Sequence, residues 1–104
     1  MAIILVTGAA GHIGTILRPR LARPGRTLRL LDTVPLTPGP GEEAVRASVT
    51  DLEAMTEACQ NAEAVIHLGG ISGEAPWQPI LEVNIAGTYA VFEGARRAGV
   101  GRVI

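Results

Sequence analysis

Lysine is absent from the 104 residues, so all nine basic side chains are arginine. Against ten Asp and Glu they leave a formal net charge of -1, and no basic field exists to hold a nucleic-acid backbone or an anionic membrane surface. A single cysteine, Cys59, excludes an internal disulfide and a cysteine-rich metal site, and makes a reducing cytoplasm the expected location. The two histidines, His12 and His67, have no acidic or thiol companions at ligand spacing, so no metal is expected. Long apolar runs are missing too. The N-terminal one stops at Thr7-Gly8 with no basic segment before it, far short of the roughly 18 residues of a membrane span.

What is present is the material of one globular domain: 47% apolar and 18% charged residues, with no internal repeat. Ile3 to Val6 is a short, mostly β-branched run closed by glycine chemistry, the pattern of a strand buried on both faces. Ile13, Ile16, Leu17 and Leu21 then recur at helical spacing, with Pro19 expected to kink or shorten the helix and Pro24-Gly25 to end it. Thr27 to Asp32 reads as a second strand, and the Pro- and Gly-rich stretch 35–41 as a surface loop. A brief third strand is expected at Ala44 to Ala47. Asp51 is placed to cap a helix carrying Leu52, Met55 and Cys59, which should stop near Asn61. Ala64 to Leu68 reads as a fourth strand. A long helix follows from Ile80 to Ala98, closed by Gly99, and Arg102 to Ile104 opens a fifth strand in which the chain stops.

Strands alternating with helices over such short intervals require right-handed crossovers and a doubly wound, Rossmann-type parallel sheet of order 3-2-1-4-5, here its N-terminal portion in one domain, 1–104. In such sheets ligands sit where strand order reverses, between the first and fourth strands. Two glycine turns meet at that edge. The first reads Thr7-Gly8-Ala9-Ala10-Gly11-His12-Ile13-Gly14: Gly8 for the tight exit from the strand, Gly11 for close approach to a pyrophosphate, Gly14 for close helix packing. The second is Gly69-Gly70. Asp32, 18 residues beyond Gly14, stands where a carboxylate accepts both ribose hydroxyls of an adenosine and repels a 2'-phosphate, which favours NAD over NADP. Arg26 and Arg29 are close enough in sequence to bear on that choice. The alternative for Asp32 is an acid that ends a strand and starts a turn.

The motif TGAAGHIG, the position of Asp32, the segment VIHLGGIS at Val65 to Ser72 and NIAGTYAVFEGAR at Asn84 to Arg96 resemble the extended short-chain dehydrogenases, the NAD-dependent epimerase/dehydratase family. Within it, HLGGIS and the stretch Pro76 to Ile85 are most similar to the uronate dehydrogenases. The resemblance implies a parent enzyme that oxidises a hexuronate to an aldarolactone with NAD. A sugar-nucleotide epimerase or dehydratase, and a non-catalytic dinucleotide-binding module or redox-responsive regulator, stand as alternatives. By position, the resemblance brings the amides of His12 and Ile13 to the pyrophosphate, with Ala10 in the same turn. It brings Leu68, Gly69 and Gly70 alongside the cofactor, and Ser72 to a sugar acid. Ser48 stands where the family has an adenine-binding Asp, and Val49 would pack on the ring.

The family's catalytic Tyr with a Lys four residues later is not in this chain. Its one tyrosine, Tyr89, is followed at that spacing by Glu93 and is expected to be a packing residue. No catalytic residue is therefore assigned, and the 104 residues alone are expected to be inactive. His67 is expected to be a hydrogen-bonded structural histidine, and Cys59 a small buried apolar residue. Asn84 either bridges helix to sheet backbone or meets substrate, and Trp77 either lines the substrate entrance or covers the core. The helix 80–98 is apolar over a wide arc. Either a second copy, as a homodimer, or another part of the same subunit should cover its outer face.

Overall fold

The computed structural model describes residues 2–104. The elements run β1 (Ala2–Thr7), α1 (His12–Leu21), β2 (Arg26–Asp32), β3 (Glu42–Arg46), α2 (Leu52–Ala58), β4 (Ala62–His67), α3 (Trp77–Ile80), a π-helical segment (Leu81–Ala86) and α4 (Gly87–Ala98). All four strands are parallel, in the order β3-β2-β1-β4. Because successive side chains of a strand face opposite ways, β1 feeds two cores. Leu5 joins Leu31, Met55, Val65, Val91 and Ala95 on the face covered by α2 and α4. Ile4 and Val6 join Ala9, Leu28 and Leu30 on the other, with Leu21 packed against them.

The expected fifth strand does not form as such among the described residues. Val103 makes one parallel bridge to Val65, supported by Val65 N to Arg102 O and Ile104 N to Val65 O, each 2.9 Å, and His67 N to Ile104 O at 2.8 Å. The segment lies beside β4, but three residues are too few to build a ladder.

α1 runs through Pro19 and ends two residues later, Ala22 turning extended before Pro24-Gly25. Its expected apolar face divides: Leu21 packs on the core, whereas Ile13 and Ile16 are about half exposed. The 35–41 loop is anchored by Glu42, which takes a two-point contact from Arg18 at 2.7 and 3.2 Å and the Gly39 amide at 2.7 Å. The Arg18 guanidinium holds that carboxyl below its usual range. Asp51 caps α2 by accepting from the Ala54 amide at 3.0 Å, and the helix ends at Ala58, three residues before left-handed Asn61. Buried Cys59 is packed in the first core, and burial raises its thiol pKa.

The long helix starts at Trp77 rather than Ile80, passes through one π-helical stretch and closes on left-handed Gly99. Tyr89 is not a packing residue: it is 62% exposed, on a strip with Ile85 and Phe92, while Ala90, Val91 and Ala95 face inward. Trp77 is exposed as well, so it does not cover the core.

Candidate functional site

β1 delivers the chain to Gly8, whose φ of +65° is one that side chains rarely adopt. A Cβ there would stand 2.7 Å from both Gly69 N and Leu68 C, so the two glycine turns are in direct backbone contact. Gly11 N donates to Gly8 O at 3.0 Å and closes the first turn. Gly11 is also the N-cap of α1. No side chain caps that helix and no acid lies in its first turn, so the amides of His12 and Ile13 stand at the uncapped positive end of the helix, the arrangement that receives an anion. Gly14 is buried, and a Cβ on it would lie 2.6 Å from Ala9 O. The close packing expected of Gly14 is therefore made with the turn's own backbone.

Asp32 ends β2 at the rim. Its Oδ2 accepts from the Ala10 amide at 3.0 Å, and its Oδ1 from Thr33 N at 2.7 Å and Val34 N at 3.3 Å. It thus both ends the strand in a turn and ties β2 to the glycine turn. With one donor on Oδ2, the carboxylate keeps lone pairs for further hydroxyl donors. The Ala10 amide is spent on Asp32, so of the expected contacts it is the one whose N–H is already committed. The two arginines expected near this acid are elsewhere. Arg29 pairs with Glu43 and donates to Ala58 O and Gln60 O. Arg26 donates to Leu21 O at the opposite end of the sheet.

On the β4 side, Thr7 is fully buried, and its Oγ1 accepts from Leu68 N at 3.1 Å and Gly69 N at 3.0 Å. Val49 packs on both Gly69 and Gly87, where added Cβ atoms would stand 2.9 and 2.8 Å from its methyls. Ser48 turns its hydroxyl to Thr50, at 2.7 Å from the side chain and 3.1 Å from the amide, so it is engaged locally. Asn84 bridges to backbone, but to the turn after β4 and not to the sheet: Oδ1 accepts from Ile71 N at 2.7 Å and Nδ2 donates to Ile71 O at 2.9 Å. His67 is hydrogen-bonded on both ring nitrogens, to Thr7 and Thr88.

Gly8, Gly11, Asp32, Ser48, Val49, Leu68, Gly69 and Gly70 line one cleft of about 320 Å³. His12 and Ile13 are exposed just beyond it on α1, and Gly14 is buried behind the turn. Ser72 lies in an adjoining hollow of about 300 Å³ with His67, Asn84 and Thr88. The cleft also takes in Leu31, Thr33, Ala47, Ile71 and Val83, none of which is an expected site residue. Three of them have a signal in the sequence: Ile71 lies inside HLGGIS, Val83 inside the stretch Pro76 to Ile85, and Thr33 directly after the strand-ending acid. A larger depression of about 580 Å³ lies at the N-terminal ends of the strands, around Gly25, Arg26 and Gly41, away from both turns. Among the described residues no group of three or more His, Cys, Asp or Glu is placed to hold a metal, and no helix is long and apolar enough to cross a membrane.

A parallel sheet wrapped by helices, with an uncapped glycine turn at its switch point, is a Rossmann-like architecture. The chain belongs to the NAD dependent epimerase/dehydratase family, which it matches over residues 4–104. It is 42% identical over 103 residues to a uronate dehydrogenase of Pseudomonas putida, covering 97% of this chain and 38% of that protein. A uronate dehydrogenase of Agrobacterium fabrum is 44% identical over 102 residues, with the same coverage of 97% and 38%. The chain thus spans well under half the length of these relatives. Among solved structures, a mutant uronate dehydrogenase from Agrobacterium tumefaciens complexed with NAD superposes with a TM-score of 0.92 at 44% identity, over 99% of this chain and 39% of that one.

Proposed function

We propose that residues 1–104 form an NAD-binding domain of a dehydrogenase that oxidises a hexuronate at its anomeric carbon to the aldarolactone. The observation that carries this reading is the opening of an uncapped helix N-terminus and a strand-ending Asp32 onto one cleft. The glycine cradle fits a pyrophosphate: a Cβ on Gly11 would meet Gly8 O at 3.2 Å, and the space beyond is left to a ligand. Bound NAD supplies the hydride acceptor. The chain's own residues bind and orient: the His12 and Ile13 amides take the pyrophosphate, and Asp32 accepts the ribose hydroxyls. Val49 and Ser48 flank the adenine, while Leu68, Gly69 and Gly70 form the wall toward the reacting end. Ser72 faces the sugar acid. The chain holds no Tyr-x-x-x-Lys pair, so the base that takes the substrate hydroxyl proton is assigned to residues outside it. The choice of NAD is supported by the superposed uronate dehydrogenase, which is complexed with that cofactor.

The exposed strip of Ile85, Tyr89 and Phe92 is read as the face that meets a second copy in a cytoplasmic homodimer. Sedimentation of the full-length protein as a monomer overturns that part. Activity of the full-length protein on glucuronate and galacturonate with NAD tests the function. Reduction of NAD in step with lactone formation is expected, and a protein that binds NAD yet oxidises neither acid overturns the substrate assignment.

A further inference from the structure

The last paired residues of β2 and β3 are Asp32 and Arg46. Register partners in a parallel pair project to the same sheet face, so Arg46 leaves the sheet on the side of Asp32 and the glycine turn. Its Nε donates to Thr33 O at 2.9 Å, which lays the guanidinium along the turn after Asp32. Thr33 itself lines the cleft. Carboxylates hold Arg18, Arg29, Arg96 and Arg97. Among the described residues none holds Arg46, and its two terminal amino groups have no partner there. A guanidinium with both Nη groups free presents a planar fork that matches phosphate oxygens two at a time.

The two side chains at this rim therefore pull in opposite directions on a 2'-phosphate. The Asp32 carboxylate repels it, and the Arg46 fork attracts it. We propose that Arg46 is a second determinant of cofactor choice, a latent contact for the 2'-phosphate of NADP that Asp32 holds in check. The inference rests on the reading that this cleft binds a nicotinamide dinucleotide at all. It makes discrimination between NAD and NADP a difference between two opposed charges instead of the work of one acid. Because Arg46 is exposed, its contribution is screened by salt.

The test is calorimetry of the full-length protein with NAD and with NADP, in the wild type, Asp32→Ser, Arg46→Ala and the double variant. Asp32→Ser raises the ratio of NADP to NAD affinity. Adding Arg46→Ala lowers that ratio about tenfold, the worth of one charge-assisted contact, and Arg46→Lys restores part of it. Raising the salt concentration shrinks the difference. Asp32 also anchors the Ala10 amide, so if Asp32→Ser does not fold, Arg46→Ala alone decides by lowering the same ratio. Intact NAD binding with a ratio indifferent to residue 46 overturns the inference alone. Failure of the wild type to bind NAD overturns the cofactor reading and the inference together.

Discussion

Thr7 gives its hydroxyl hydrogen to Nδ1 of His67 at 2.7 Å, because the same oxygen already accepts from two amides of the β4 turn. The imidazole proton is thereby placed on Nε2, which donates to Thr88 Oγ1 at 3.3 Å, and Thr88 in turn donates to Asn84 O at 2.6 Å. One directed chain of hydrogen bonds joins the end of β1, the β4 turn and the π-helical segment. Replacing Thr7 by the isosteric Val leaves the Gly69 amide and a ring nitrogen unpaired, while Leu68 N keeps its bond to the Thr7 carbonyl at 3.2 Å. Urea unfolding should show a loss of about 2–4 kcal/mol, and Thr7→Ser should recover most of it. A Thr7→Val protein as stable as the wild type would mean that water or a rearranged turn takes over these bonds.

The same chain sets a pH dependence. Burial pushes the His67 imidazole below its ordinary 6.5, and a protonated ring could not accept from Thr7. The unfolded chain therefore takes up this proton at a higher pH than the folded one. The stability that the neutral ring contributes is complete above the unfolded value and declines as pH falls through the folded one. The stability gap between wild type and His67→Gln should narrow between about pH 7.5 and 5. A gap that stays constant over that range would show that the ring does not titrate there.

The glycines of the first turn separate by role. Gly8 has positive φ and Gly14 lies against Ala9, so alanine at either should lower stability by about 1–3 kcal/mol. Gly11 has φ of -75°, open to any residue, and an added Cβ meets only Gly8 O. Gly11→Val should therefore melt near the wild-type temperature and lose NAD binding. Calorimetry finding full NAD affinity in a folded Gly11→Val protein would remove the phosphate assignment.

Asn84 presents a carboxamide to Ile71 as a neighbouring strand presents a peptide group, accepting one bond and donating the other. Asn84→Asp keeps the acceptor and sets a carboxylate oxygen against the Ile71 carbonyl. A cost of about 1–3 kcal/mol follows at neutral pH. A protonated carboxyl can donate again, so the folded state raises the pKa of the new acid, and its deficit should shrink as pH falls below about 5. Urea midpoints that track the wild type in parallel down to that pH would contradict the bridging role.

The turn, the four strands and the sheet order are legible in the sequence because glycine spacing and short apolar runs are local signals. Even the cap at Asp51 and the left-handed stop at Gly99 depend only on neighbours in sequence. What is not legible depends on distant partners. Ile13 and Ile16 have helical spacing, but spacing does not say whether another segment covers them. Tyr89 has the sequence surroundings of a core residue for the same reason, and turns outward because Val91 and Ala95 already fill the inner face. Ala10 and Ser48 have the motif positions of cofactor contacts. The bond that commits Ala10 crosses 22 positions to Asp32, whereas Ser48 turns to Thr50 two residues on, a local bond of the kind serine makes in turns. Distance along the chain points to Arg29 as the neighbour of Asp32 and is a poor guide: parallel register, not proximity in sequence, sets Arg46 there.

The two walls of the cleft differ in how far along the chain their partners lie. Asp32 reaches Ala10 across 22 positions, whereas Thr7 reaches His67 across 60. Closing the longer loop costs more entropy, so the β2 wall can assemble while the β4 wall is still open. The pocket exists only once the later seam, between β1 and β4, has shut. A dinucleotide held across it would stabilise that last-made pairing above all, and would slow its reopening more than that of the β1–β2 seam.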